Sequence, residues 1–118
     1  TGNDELYGEN GNDAIDGNGG NDLIVGGPGN DEILGGEGND TIYGGAGDDK
    51  IIAGDGNDTV YGGSGDDAIY GYPGNDTIDG DGPLSPTDPG TPPYADMDEC
   101  YQNEGTGMPL NCEEGDGA

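Results

Sequence analysis

Gly35-Gly36-Glu37-Gly38-Asn39-Asp40-Thr41-Ile42-Tyr43 is the nine-residue frame on which most of this chain is built. The frame restarts at Gly8, Gly17, Gly26, Gly44, Ala53, Gly62 and Gly71 with no insertion or deletion. A partial copy, Thr1 to Tyr7, comes before these units, and a stub, Gly80-Asp81-Gly82, comes after them. The fourth position is Gly every time, at Gly2, Gly11, Gly20, Gly29, Gly38, Gly47, Gly56, Gly65 and Gly74. A backbone that needs positive φ or close approach selects glycine that strictly. The fifth position is Asn or Asp, residues that tolerate left-handed turns and bond to their own backbone. The sixth is always Asp, at Asp4, Asp13, Asp22, Asp31, Asp40, Asp49, Asp58, Asp67 and Asp76. The eighth is always aliphatic, at Leu6, Ile15, Ile24, Ile33, Ile42, Ile51, Val60, Ile69 and Ile78.

Positions 1 to 6 therefore read as a turn, and positions 7 to 9 as a very short strand whose middle side chain points inward. One such strand buries almost nothing, but stacked strands line their aliphatic residues into a ladder, and a short fixed period is the signature of a solenoid. A strand and a turn only reverse the chain, so two units are needed to close a coil of 18 residues. The expected fold class is all-β, a parallel β-solenoid over residues 1–82. A Pro-rich linker, 83–93, and an acidic tail, 94–118, are expected to follow it as irregular chain.

The composition says what such a fold must rely on. The chain has 118 residues, 27% of them hydrophobic, with 29 glycines and neither Phe nor Trp, which cannot fill an ordinary core. Its formal charge of -26 includes a single basic residue, Lys50, and low hydrophobicity with high charge keeps a chain disordered unless a counter-charge arrives. Nucleic acid is excluded as that partner, because its phosphates demand Lys and Arg. Cations are the natural partner. No stretch is long or apolar enough to span a bilayer, and no signal segment opens the chain. Because it starts without Met, in the middle of a repeat, the chain is read as a processed product or a piece of a longer protein. With no His, and with Ser64 and Ser85 in a turn and a linker, a serine or zinc hydrolase is excluded and no enzyme is expected. Any attached enzyme would lie outside this chain.

The repeated pattern, glycine-rich turn, Asn or Asp, Asp, then an aliphatic residue flanked by variable ones, resembles the RTX (repeats-in-toxin) calcium-binding nonapeptide-repeat parallel β-roll. The resemblance covers residues 1–82. It departs from the family pattern at Ala53, in place of the first Gly, and at Glu9, Asn18 and Tyr72, in place of the second, where loosened turns are expected. It implies one Ca2+ between successive turns on each side of the roll, and a secreted, extracellular module. The tail does not resemble the C-terminal secretion segment usual in such proteins.

Ca2+ takes six to eight hard oxygen ligands from carboxylates and backbone carbonyls. The position-6 Asp residues supply the charge, and the turns around Gly11, Gly20, Gly29, Gly38, Gly47, Gly56, Gly65 and Gly74 supply the carbonyls. Alternate units share a side, so one stack carries Asp4, Asp22, Asp40, Asp58 and Asp76, and the other carries Asp13, Asp31, Asp49 and Asp67. Their gaps give an expectation of about seven full sites. Residues 1–82 hold 19 acidic groups against Lys50, a net of -18, which seven Ca2+ would bring to -4. Without the ions, neighbouring carboxylates repel at short range, so the metal-free chain is expected to be disordered and binding to appear as folding free energy.

Positions 7 and 9 are expected to face outward. One face carries Tyr7, Val25, Tyr43 and Tyr61. The other lines up Leu34, Ile52 and Tyr70, which read either as strand propensity or as a contact surface for the tail or another molecule. Sequons at Asn39, Asn57 and Asn75 fall on ordinary position-5 turn residues. In the tail, Cys100 and Cys112 would pair in an extracellular setting, closing a loop worth roughly 3 kcal/mol, with free thiols the alternative. The repeat starts and stops within a turn, without a cap. An alternative function is therefore a subunit of an extracellular filament, in which Gly2-Asn3-Asp4 of one molecule completes Gly80-Asp81-Gly82 of the next and the tails lie along the outer faces.

Overall fold

The three residues after each position-6 Asp alternate outward, inward, outward, and each such triplet forms or begins a strand. A computed structural model of the chain describes residues 2–81, 86, 99–101 and 110–111. Its strands are β1 (Glu5–Tyr7), β2 (Ala14–Asp16), β3 (Leu23–Val25), β4 (Glu32–Glu37), β5 (Thr41–Tyr43), β6 (Lys50–Asp55), β7 (Thr59–Tyr61), β8 (Ala68–Tyr70), β9 (Thr77–Asp79), β10 (Glu99–Tyr101) and β11 (Leu110–Asn111). They form two parallel sheets, ordered β1-β3-β5-β7-β9-β11 and β10-β8-β6-β4-β2. Within the repeats each residue pairs with the one 18 later, as Leu6 with Ile24 and Ile15 with Ile33, so two units do make one coil of a β-solenoid.

The core is one layer of aliphatic side chains between the sheets. Ile24, Ile33, Ile42, Ile51, Val60, Ile69 and Ile78 are completely buried, and Leu6 and Ile15 at the open N-terminal end are partly buried against them. Each buried Ile contributes roughly 2–3 kcal/mol. Stacked strands supply all of this, because a lone triplet would bury nothing.

Three details differ from the expectation. First, β4 and β6 run on through position 3, pairing Gly36 with Gly54 and Glu37 with Asp55, so strand pairing continues into the turn here while Gly36 and Gly54 keep positive φ. Second, the turns at Glu9, Asn18 and Tyr72 are not loosened: with φ of 70°, 69° and 68° they keep the left-handed backbone that glycine adopts in the other copies. Ala53 is likewise held without change of path, fully buried within β6. Third, Val25 is only 7% exposed although it sits in an outward row, since it is a short side chain in register between Tyr7 and Tyr43.

The C-terminal end also differs from a bare edge. β10 pairs in parallel with β8, setting Cys100 opposite Ile69 and Tyr101 opposite Tyr70, and β11 pairs with β9, setting Leu110 opposite Ile78. These tail strands continue both sheets past the last repeat, in place of lying on the outer faces. Nothing in their sequence repeats the nonapeptide, so periodicity could not announce them. Apart from Pro86, the Pro-rich linker lies outside the described residues, as does Cys112 and with it the Cys100–Cys112 pairing. In the row expected as a contact face, Leu34 is 37% exposed while Ile52 and Tyr70 are half-buried.

Candidate metal centre

The turns place one carboxylate per unit against the carboxylate of the next coil. Oδ1 of each inner Asp accepts the backbone N–H of the Asp one coil earlier: Asp4 to Asp22, Asp22 to Asp40, Asp40 to Asp58 and Asp58 to Asp76 on one side, at 2.8–2.9 Å. Asp13 to Asp31, Asp31 to Asp49 and Asp49 to Asp67 do the same on the other side, each at 2.8 Å. The two stacks are those read from the sequence, and every gap between successive turns is bridged. Burial deepens away from the N-terminal end, with Asp4 exposed, Asp13 intermediate, Asp40 and Asp58 at 1% and Asp76 at 0%.

The second carboxylate oxygen is left over. Oδ2 of Asp22, Asp31, Asp40, Asp49 and Asp58 is buried and accepts no hydrogen bond. It lies against the position-1 glycine of its own turn, so close that a Cβ on Gly35 would stand 2.9 Å from Asp40 Oδ2, and one on Gly44 2.7 Å from Asp49 Oδ2. Glycine at position 1 thus makes room for the carboxylate. A buried charged oxygen with no partner costs several kcal/mol, and a cation is the partner such an oxygen accepts.

Backbone carbonyls complete the donor set. The position-4 carbonyls point along the stack at the glycine of the next coil, where a Cβ on Gly38 would overlap the Gly20 oxygen and one on Gly56 the Gly38 oxygen. Among the described residues no three acidic side chains converge on one point, because the repeat supplies one inner Asp per turn. Few carboxylates and many carbonyls is the mixture that suits Ca2+ and not a soft metal.

Position 5 does something that was not legible in its residue type. Its Oδ1 accepts the N–H of position 5 in the following coil and not of its own turn, as Asn3 does for Asn21, Asn21 for Asn39 and Asn39 for Asn57. On the other side Asn12 accepts from Asn30, Asn30 from Asp48, and Asp48 from Asp66. Positions 5 and 6 therefore tie each coil forward and backward at once. Two of the sequon residues, Asn39 and Asn57, use their side-chain oxygens in this ladder.

A family model for the RTX calcium-binding nonapeptide repeat, spanning four copies, matches residues 1–24, 25–60 and 52–82. The chain belongs to the RTX calcium-binding nonapeptide-repeat family. No curated protein matches it. As an RTX roll it is a calcium-binding structural fold, and the leftover Oδ2 atoms and carbonyl rows of this chain fit that ion.

The protonation of the ladder follows from its burial. Desolvation pushes the Asp40 carboxyl up to about 6 and those of Asp49 and Asp58 up to about 7, against the lowering effect of the N–H bonds they accept. Neighbouring carboxylates add to the rise, Asp31 and Asp48 at Asp49, and Asp76, Asp40 and Asp55 at Asp58. Groups with raised values bind protons better folded than unfolded. Their contribution to the metal-free roll is fully present below about pH 4 and is lost as the pH climbs through 6 to 7. Calcium held by these carboxylates would have to displace those protons, so its affinity is expected to rise between pH 5 and pH 8, by up to about tenfold per unit for each proton displaced. Calcium titrations followed by circular dichroism at pH 5, 6.5 and 8 test this, and a midpoint indifferent to pH would contradict it.

Proposed function

We propose that this chain is a calcium-dependent folding module of a secreted protein, unfolded where Ca2+ is scarce and folded outside the cell where it is plentiful. The observation that carries the reading is the buried, unbonded Oδ2 repeated at Asp22, Asp31, Asp40, Asp49 and Asp58. The ligands are the position-6 Asp residues, Asp4 through Asp76, with carbonyls of the glycine turns, and about seven ions fill the gaps. An extracellular location also suits a Cys100–Cys112 disulfide. Head-to-tail stacking into filaments would have to displace β10 and β11 from the edges of β8 and β9, so a single roll is the better reading.

Calorimetric titration of the full chain with Ca2+ tests the stacked arrangement. Asp40 bridges towards Asp22 and towards Asp58, whereas Asp4 is exposed at the end of its stack. Asp40→Ala is expected to weaken calcium binding by at least tenfold, and Asp4→Ala by no more than about threefold. Equal losses in the two variants would count against ions shared between coils.

A further inference from the structure

One gap in each stack, the third of four between Asp40 and Asp58 and the last of three between Asp49 and Asp67, is flanked by carboxylates that the repeat does not require. On the stack of Asp40 and Asp58, position 3 is Glu37 and Asp55, both exposed and in register across β4 and β6, where the other turns of that stack carry Gly19 and Pro73. On the stack of Asp49, position 5 is Asp48 and Asp66, where earlier turns carry Asn12 and Asn30. The N–H of Asp66 bonds to Asp48 Oδ1 at 2.9 Å, the bond that asparagine makes elsewhere, so the ladder does not need the charge. The same turns carry the buried Oδ2 atoms of Asp40, Asp58 and Asp49, which accept no hydrogen bond. The outer charges are felt there, Asp55 at Asp58 and Asp48 at Asp49.

We propose that Glu37 and Asp55 on one stack, and Asp48 and Asp66 on the other, act as nearby charges, not as ligands, and make these two gaps load calcium first, so that the roll folds outward from residues 32–70. The proposal rests on the calcium-dependent folding argued above and adds an order to it. Calcium sites are tuned by the charge around them, and only these gaps have an extra carboxylate on both bordering turns. The two gaps also belong to consecutive coils. Ions in both would pin the longest strand pair, β4 with β6, and the stacked rings of Tyr43 and Tyr61, 5.0 Å apart. The end coils, with Leu6 and Ile15 only partly buried, would follow as the calcium concentration rises.

The test uses the full chain with CaCl2 as the probe. Asp48→Asn with Asp66→Asn installs the residue that other copies carry, and Glu37→Gln with Asp55→Asn keeps the size of the side chains. Each pair is expected to weaken binding of the first ions about three- to tenfold, as exposed charges near a divalent ion should in dilute salt. Glu5→Gln with Glu32→Gln removes two charges from the sheet faces and is expected to change it less than twofold. Amide spectra of the unaltered chain should show Gly38, Gly47, Gly56 and Gly65 responding at lower calcium than Gly11, Gly20 and Gly74. A midpoint for either pair that matches the sheet-face control, or end glycines responding first, overturns the proposal. An unaltered chain that takes up no calcium overturns the folding module itself.

Discussion

Excess chelator at pH 8 is expected to erase the β signal of this chain, and calcium in the millimolar range to restore it. Each nine-residue unit sets one aliphatic side chain, worth roughly 2–3 kcal/mol when buried, against one buried carboxylate. An unpaired buried charge costs several kcal/mol, so without a cation the unit loses at least what it gains. The glycine turns offer no compensation, because glycine loses more freedom on ordering than any other residue. The carboxylates cannot be relieved by protonation at pH 8, since burial lifts Asp49 and Asp58 only to about 7. The change should be large in every probe. Small-angle scattering should show the radius of gyration going from about 14 Å with calcium towards about 35 Å without it, the values for a compact and an unfolded chain of this length. A parallel β spectrum that survives chelation at pH 8 would falsify the calcium-dependent fold.

What the sequence disclosed and what it withheld divide along a physical line. Period, coil length, the inward ladder from Leu6 to Ile78 and the two Asp stacks all follow from repetition, since a structure in which every unit repeats its neighbour leaves one register available. The aspartates could be placed on their stacks because their role depends only on that register. The direction of the position-5 bonds was another matter. Asn in a tight turn can satisfy its own backbone or that of a neighbour, and only the stacked N–H of the next coil decides in favour of the neighbour. The tail was harder still. Cys100 and Leu110 take the register of the aliphatic ladder, but they do so as single residues in unrepeated sequence, with no period to mark them. Val25 is covered in its outward row because it stands in register between two tyrosines, a packing fact that no one-residue rule contains.

Replacing Gly38 with alanine is expected to cost on the order of 3 kcal/mol or more even at saturating calcium, while the same change at Gly19 should be nearly silent. Gly38 has φ of +115°, which an L side chain adopts only under strain, and its Cβ would overlap the carbonyl oxygen of Gly20 in the coil before it. The peptide cannot turn away to relieve this. The Gly38 N–H is held by the Asp55 carbonyl at 3.0 Å, and two residues on, Asp40 is locked to both neighbouring coils. Any shift of the turn therefore misplaces a proposed calcium ligand as well as a strand. Gly19 offers the contrast, having no positive φ and nothing within 4 Å of where a Cβ would stand. Its carbonyl still accepts the N–H of Gly2 at 3.1 Å after the change. Thermal unfolding of the two variants in excess calcium reads the difference, with Gly38→Ala expected to lower Tm by about 15 °C or more and Gly19→Ala by at most about 3 °C. Similar Tm values would mean that the position-4 carbonyls do not meet the next coil as closely as the stacked turns require.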